Sequence, residues 1–299
     1  MKEFYTLADL EDWSEPRIRL GVVGDPVRQS RSPAMINAAL QACGLEMEYA
    51  RFQISADELA TAVQLFVRQN FLGLNFTIPH KISAAALADE LDDGARSAGA
   101  INIVRIEDGK LFGSNTDGPG FSRAIRQEFA VDLRDLRVLL LGAGGGAGRA
   151  IAAQCAREGC ERLVLVNRTA AKAHELAEKL RPQFQEARVL GPVPRLEVVE
   201  WKEAALRAQI ANVDLVVNAS SLGWKHSDPA PLTASSLAPH LMIYDTVYRT
   251  ERTPLLAAAA EAGARGANGL EMLLQQGALA FEKWFERAAP IDVMRAALR

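Results

Sequence analysis

Two stretches of this chain end on a charge that a buried strand has no need of. In GLNFTIPHK, residues 73–81, Leu74, Phe76 and Ile78 alternate with Asn75 and Thr77 as in a strand with one face on a core; Pro79 then stops the pairing and Lys81 follows. In GSNTDG, residues 113–118, Asp117 ends a second such stretch. An ammonium and a carboxylate brought together at strand ends can handle a proton. Taken singly, Lys81 reads as a snorkelling surface charge and Asp117 as a turn residue before Gly118. Ser30 and Ser32, two apart in QSRSP, can aim two hydroxyls at one acceptor such as a carboxylate, with the positive end of the helix starting at Pro33 behind them. The alternative is that Ser32 only caps that helix.

A third feature points to a nucleotide. Gly142, Gly144 and Ala147 match GxGxxA between a continuous apolar strand, LRVLLL, and a helix. In that setting small residues let backbone N–H groups approach a pyrophosphate at a helix N-terminus, so the whole turn, with Gly145 and Gly146, is a candidate cofactor site. The next strand ends near Asn167, where an NAD enzyme places an acid on the ribose hydroxyls. No acid stands there. Asn167, Arg168 and Thr169 instead offer an amide, a guanidinium and a hydroxyl, donors that suit the 2′-phosphate of NADP.

These residues need elements to position them. RIRLGVVGDP reads as a strand ending at Gly24, SPAMINAALQACG as a helix, MEYARFQI as a strand, Ser55 to about Arg68 as a helix, and FLGLNFTIP as a strand, an alternation that implies a mostly parallel sheet. INIVRIEDGKLFGSN looks like a hairpin turning at Asp108-Gly109, and a helix over about 119–130 leads to the glycine turn. RLVLVNRT, VDLVVNASS and LMIYDTVY supply further buried strands, and the last helices, from TPLLAAAAEAG onward, are amphipathic. The expectation is an α/β protein of two units. Residues 1–118 form an N-terminal α/β substrate and catalytic domain, 119–255 a Rossmann-like dinucleotide-binding domain, and 256–299 C-terminal helices that pack back on the first domain.

Composition narrows the function. With 299 residues and 49% apolar content, sizeable cores are possible. The 34 basic and 37 acidic residues are mixed, with a net charge of −3, so no footprint for nucleic acid is expected and small molecules are the expected partners. No apolar run of about 18 residues marks a membrane span, and the acidic N-terminal stretch lacks a secretory core, so a cytoplasmic protein is expected. Cys43, Cys155 and Cys160 form no CxxC pair and read as inert core thiols; the four histidines have no ligand spacing, so no metal is expected.

Taken together, GDPVRQSRSP, GLNFTIPHK, AGAIN, GSNTDG, LGAGGGAGRA, NRT, NASSLG, YDTVY, TPLL and GLEMLLQQGALAF occur in the order found in the shikimate dehydrogenase family. The resemblance runs from about Gly21 to Trp284. It implies NADP-dependent reduction of 3-dehydroshikimate to shikimate by a monomer or homodimer. By the same resemblance Ser30 and Ser32 hold the substrate carboxylate, and Thr77, Asn102, Asp117, Tyr248 and Gln276 contact its hydroxyls or ring. Lys81 and Asp117 are then the catalytic pair, and Gly269 and Met272 lie near the nicotinamide. Three departures touch the margins of the site: Ile103 where the family has Thr, Ile36 where a His precedes Asn37, and Arg249-Thr250 after the tyrosine. They leave open quinate or another cyclohexane carboxylate as substrate. A catalytically silent NADP-binding sensor is the reading from another class, against which the intact Lys81–Asp117 pair argues.

Overall fold

Apolar periodicity of two and of about 3.6 alternates along most of the chain, and strands and helices follow it. The structure, a computed structural model, describes residues 2–185, 194–249 and 252–299, so Thr250 lies outside the described residues. In chain order the elements are α1 (Leu7–Glu11), β1 (Ile18–Gly24), α2 (Ser32–Ala42), β2 (Glu48–Gln53), α3 (Leu59–Arg68), β3 (Gly73–Phe76), β4 (Glu90–Leu91), α4 (Asp93–Ala98), β5 (Ile103–Glu107), β6 (Lys110–Ser114) and α5 (Asp117–Phe129). They continue with β7 (Arg137–Leu141), α6 (Gly146–Arg157), β8 (Arg162–Val166), α7 (Ala170–Leu180), β9 (Leu196–Val199), α8 (Glu203–Ile210) and β10 (Leu215–Asn218). The last are β11 (Met242–Asp245), α9 (Pro254–Glu261), β12 (Arg265–Asn268), α10 (Leu270–Phe285) and α11 (Ile291–Ala296). The chain divides into two compact units, one of Met1–Gly120 with Leu273–Arg299 and one of Phe121–Met272.

The first unit is built on a sheet of order β2-β1-β3-β5-β6-β4. Its pairings are mostly parallel, β1 with β2 and β3 and β4 with β6, but β5 pairs antiparallel with both β3 and β6. The cause is the hairpin. Asp108 and Gly109 take φ of 50° and 77°, the left-handed pair that a two-residue turn needs, and the hairpin joins the same sheet through β5. One face of the sheet is closed by an aromatic cluster in which Phe52 meets Phe66 edge to face at 4.8 Å. The C-terminal segment packs back on this unit. Trp284 of α10 donates Nε1–H to the Val104 carbonyl at 3.0 Å, and Gly73 makes room for it, since a Cβ there would sit 2.2 Å from Trp284 Nε1.

The second unit has six parallel strands in the order β12-β11-β10-β7-β8-β9. Counted from β7 this is 3-2-1-4-5-6 in reverse, the Rossmann arrangement, whose order reverses between β7 and β10. Residues 256–272, expected among the returning helices, belong here, because β12 completes the sheet beside β11. β9 and β12 escaped the sequence reading because short edge strands, one carrying Glu197 and one reading Arg-Gly-Ala-Asn, lack the long apolar runs of central strands. Cys155 and Cys160 are buried, Cys43 half-buried at the end of α2. Among the described residues no helix is long and apolar enough to cross a membrane.

Candidate active site

The charges that opened the sequence problem meet. Lys81 Nζ lies 2.5 Å from Asp117 Oδ2, with the lysine side chain 16% and the aspartate 4% exposed, so Lys81 is no snorkelling surface residue. Asp117 is not a turn residue after a strand but the first residue of α5, where the positive end of the helix favours an anion. Lys81 sits beyond β3, in a turn fixed by Thr77 N–H to the Val23 carbonyl (2.9 Å), His80 N–H to the Thr77 carbonyl (2.8 Å) and Ile101 N–H to the Lys81 carbonyl (2.8 Å).

Asn102 is the hub of the cluster. Its Nδ2 lies 2.8 Å from Thr116 Oγ1, 3.1 Å from Asp117 Oδ1 and 3.1 Å from Gln276 Oε1, and its Oδ1 accepts the Thr116 N–H at 2.7 Å. Asn115 accepts the Asp117 N–H at 3.0 Å and donates to the Ala100 carbonyl at 2.8 Å, so the turn before α5 is held from inside. Gln276, on α10, comes this close because Gly120 has no side chain; a Cβ there would lie 2.8 Å from Gln276 N. Lys81, Asn102, Asp117 and Gln276 thus form one polar cluster drawn from four separate parts of the sequence.

Ser30 and Ser32 share a turn in which Ser32 N–H reaches Ser30 Oγ at 3.4 Å, and Ser32 is helical, with Arg31 in the cap position expected for it. Thr77 lies against Gly24, and its hydroxyl has no protein partner among the described residues. Ile36 and Ile103 are fully buried, Ile103 opening β5 between Asn75 and Ser114.

Sequence reasoning passed over His80. It is fully buried, Nε2 meets the Ile54 carbonyl at 2.8 Å, and Nδ1 has no partner. Because a carbonyl can only accept, Nε2 carries the proton and Nδ1 is an unfilled acceptor. Burial lowers its pKa below the ordinary value, against the opposing pull of the Ile54 bond and Asp25. A histidine flanked by Pro79 and Lys81 gives no periodic signal that would separate it from a surface residue.

In the second unit the glycine turn follows β7, at the point where strand order reverses. Gly142 has φ of 84°, and a Cβ on it would lie 2.6 Å from Ser220 N, in the turn after β10. Gly144 N–H donates to Asn167 Oδ1 at 3.1 Å, and a Cβ on Gly144 would strike the same amide. α6 starts at Gly146, followed by Ala147. Gly148, which the GxGxxA reading missed, is the tightest point: its missing Cβ would lie 2.2 Å from the Gly142 carbonyl, so it lets α6 approach the turn. Asn167 and Arg168 follow β8, Thr169 caps α7, and Arg168 is exposed with no partner among the described residues. A turn with no room for a Cβ at Gly142, Gly144 or Gly148, next to an exposed guanidinium with no acidic partner among the described residues, fits a phosphorylated dinucleotide.

Beyond β10 and β11 a buried network holds the loops. Asp245 accepts from Thr253 Oγ1 at 2.6 Å, Asn218 Nδ2 at 2.9 Å and Val247 N–H at 3.2 Å, while burial pushes its carboxyl above the ordinary range against these bonds. Tyr248 follows, edge to face on Trp224 at 5.2 Å. Gly269 is pressed against this loop, since a Cβ would lie 2.0 Å from the Thr246 carbonyl, and Met272 N–H donates to Tyr244 Oη at 3.2 Å. Tyr248, Gly269 and Met272 all belong to the second unit, Gln276 to the first.

A Rossmann-ordered unit joined in one chain to an α/β unit carrying a buried lysine–aspartate pair defines a two-unit α/β dehydrogenase. Three family models match in sequence: shikimate dehydrogenase substrate binding domain over residues 22–104, shikimate / quinate 5-dehydrogenase over 124–221, and shikimate 5′-dehydrogenase C-terminal domain over 269–299. The NADP(+) shikimate dehydrogenase of Methanopyrus kandleri is 41% identical over 282 residues, 93% of this chain and 94% of that protein. The shikimate dehydrogenase structure from Aquifex aeolicus superposes with a TM-score of 0.83 at 34% identity, covering 94% of this chain and 98% of that one. The Thermus thermophilus enzyme in complex with NADP(H) and shikimate gives 0.80 at 35% identity, with the same coverage. The chain belongs to the shikimate dehydrogenase family.

Proposed function

We propose that this protein reduces 3-dehydroshikimate to shikimate with NADPH, reversibly, and that Lys81 and Asp117 are its acid–base pair. The observation that carries the reading is the 2.5 Å contact between Lys81 Nζ and Asp117 Oδ2, nearly buried and braced by Asn102. The Gly142–Ala147 turn with Asn167, Arg168 and Thr169 would hold NADPH, whose chemistry would be hydride donation to the substrate carbonyl carbon. Lys81 Nζ gives its proton to the carbonyl oxygen as it becomes a hydroxyl, and in the reverse direction the amine takes that proton back. Asp117 Oδ2 holds the ammonium in place; its Oδ1 would accept from a neighbouring ring hydroxyl, and the amides of Asn102 and Gln276 would donate to others. Ser30 and Ser32 receive the carboxylate at the start of α2, and Thr77 offers its free hydroxyl to the ring. Tyr248 would bond a ring hydroxyl, and Gly269 and Met272 would border the nicotinamide. The experiment is a steady-state assay of nicotinamide absorbance with shikimate and quinate against NADP and NAD. Shikimate with NADP is expected to give the highest kcat/KM, and turnover of quinate alone would overturn the assignment.

A further inference from the structure

The serine turn is tied to the sheet by a charge that has no counter-ion among the described residues. Ala50 and Phe52 of β2 point into the aromatic core, so Arg51 lies on the other face of the strand. Tyr49 shares that face and is bound to α2 by Asn37, which donates to the Tyr49 carbonyl at 2.9 Å and accepts its N–H at 2.8 Å. From there Arg51 reaches the segment just before α2, where Nε and Nη2 both donate to the Ser30 carbonyl, at 3.1 and 2.8 Å. Among the described residues this fork is the sole tie to Ser30 from outside its own segment, whose other bonds are Ser30 N–H to the Val27 carbonyl at 3.0 Å and Ser32 N–H to Ser30 Oγ.

Of the neighbouring cations, Arg28 alone has an acidic partner among the described residues, Glu3 at 3.2 Å. The guanidinium of Arg31 is turned away from Ser30 toward the C-terminal segment, where it donates to the Leu298 carbonyl. Arg51 is half-buried with no acidic partner among the described residues. A neutral donor would anchor a carbonyl as well. A cation beside the positive end of an 11-residue helix is unfavourable until an anion arrives there.

We propose that Arg51 is a positioning residue for carboxylate recognition: its fork fixes the Ser30–Ser32 turn and its charge raises the affinity of that turn for an anion. This rests on the assignment of Ser30 and Ser32 to the substrate carboxylate. The test is steady-state oxidation of shikimate and of its carboxamide by the wild type, Arg51→Met, Arg51→Lys and the Ser30→Ala/Ser32→Ala double variant, with melting curves for each. Arg51→Met is expected to raise KM for shikimate about tenfold while kcat and KM for NADP stay within about twofold. Arg51→Lys, keeping the charge and one donor, is expected to recover most of that loss, and the KM for the carboxamide is expected to rise clearly less in Arg51→Met than the KM for shikimate, since the amide loses the fork but not the charge. A wild-type KM in Arg51→Met, alongside a raised KM in the double serine variant, would overturn the role of Arg51 alone. Parallel losses on acid and amide, or no recovery by lysine, would reduce Arg51 to a structural anchor and overturn it too. Wild-type protein using the amide as well as the acid, with the double serine variant unchanged, would overturn the carboxylate assignment itself.

Discussion

The two units solve the problem of holding a ligand in opposite ways. The first uses side chains: Lys81, Asn102, Asp117 and Gln276 come from a turn, a strand entry, a helix start and the C-terminal helix, and each supplies an atom that its neighbours require. The second uses backbone and empty space: Gly142, Gly144 and Gly148 lie within one seven-residue stretch, and what they contribute is the absence of a Cβ. A side-chain site should therefore fail when a group is removed, a backbone site when one is added.

Lys81→Ala is the largest break on the first side. It should lower kcat by roughly 10²- to 10⁴-fold with NADP binding nearly unchanged, because the proton donor is lost and the cofactor turn is not. Lys81→Arg should rescue little, since a guanidinium stays protonated, and Asp117→Asn should be slow for want of the carboxylate charge. Kinetics together with circular dichroism and a cofactor titration measure this; a folded Lys81→Ala enzyme of wild-type kcat would move the proton elsewhere.

On the second side the break is an insertion. Gly142→Ala puts a methyl 2.6 Å from Ser220 N on a residue with φ of 84°. Strain of about 1 to 3 kcal/mol should fall on the turn, weakening NADP by roughly tenfold or more. At saturating cofactor kcat should stay near wild type, the mirror image of the lysine variant. Titration of the cofactor against kcat at saturation separates the two.

Arg168→Ala sharpens the comparison, as the proposed cofactor side also includes side chains, among them the exposed guanidinium of Arg168. KM for NADP should rise about tenfold while KM for NAD barely moves, since only the 2′-phosphate distinguishes them. Equal wild-type affinity for both cofactors would remove that determinant.

The smallest effect concerns His80, buried in the turn that presents Lys81. Its folded-state pKa lies below the ordinary 6.5, so between the two values the unfolded chain binds more protons than the folded one. Its stabilising contribution is complete above pH 6.5 and is lost as pH falls toward the folded value. His80→Gln, which keeps a donor for the Ile54 carbonyl, should flatten this dependence; urea midpoints across the acid range would show it, and a slope unchanged by the variant would assign it to other groups.

Local chemistry made much of this legible in the chain. The 142–148 stretch and the strand before it are contiguous, so spacing alone announced a strand, a glycine-rich turn and a helix. Asp108-Gly109 likewise specified its hairpin, because only a few residues accept φ near +60° twice in succession. Gly148 was overlooked since a helix glycine looks unexceptional until the strand end it touches is known.

Other matters depended on residues far apart in sequence. That β5 enters the first sheet antiparallel beside β3, that residues 265–268 form an edge strand of the second, and that Asp117 begins a helix rather than ending a strand are decisions of hydrogen-bond pairing between segments that sequence order does not rank. Lys81 and Asp117 had each a plausible solitary life, as a surface charge and as a turn residue. Sequence determined which groups were present; folding placed them 2.5 Å apart, and only at that distance does a lysine at the end of a buried strand become a group that can hold and pass a proton.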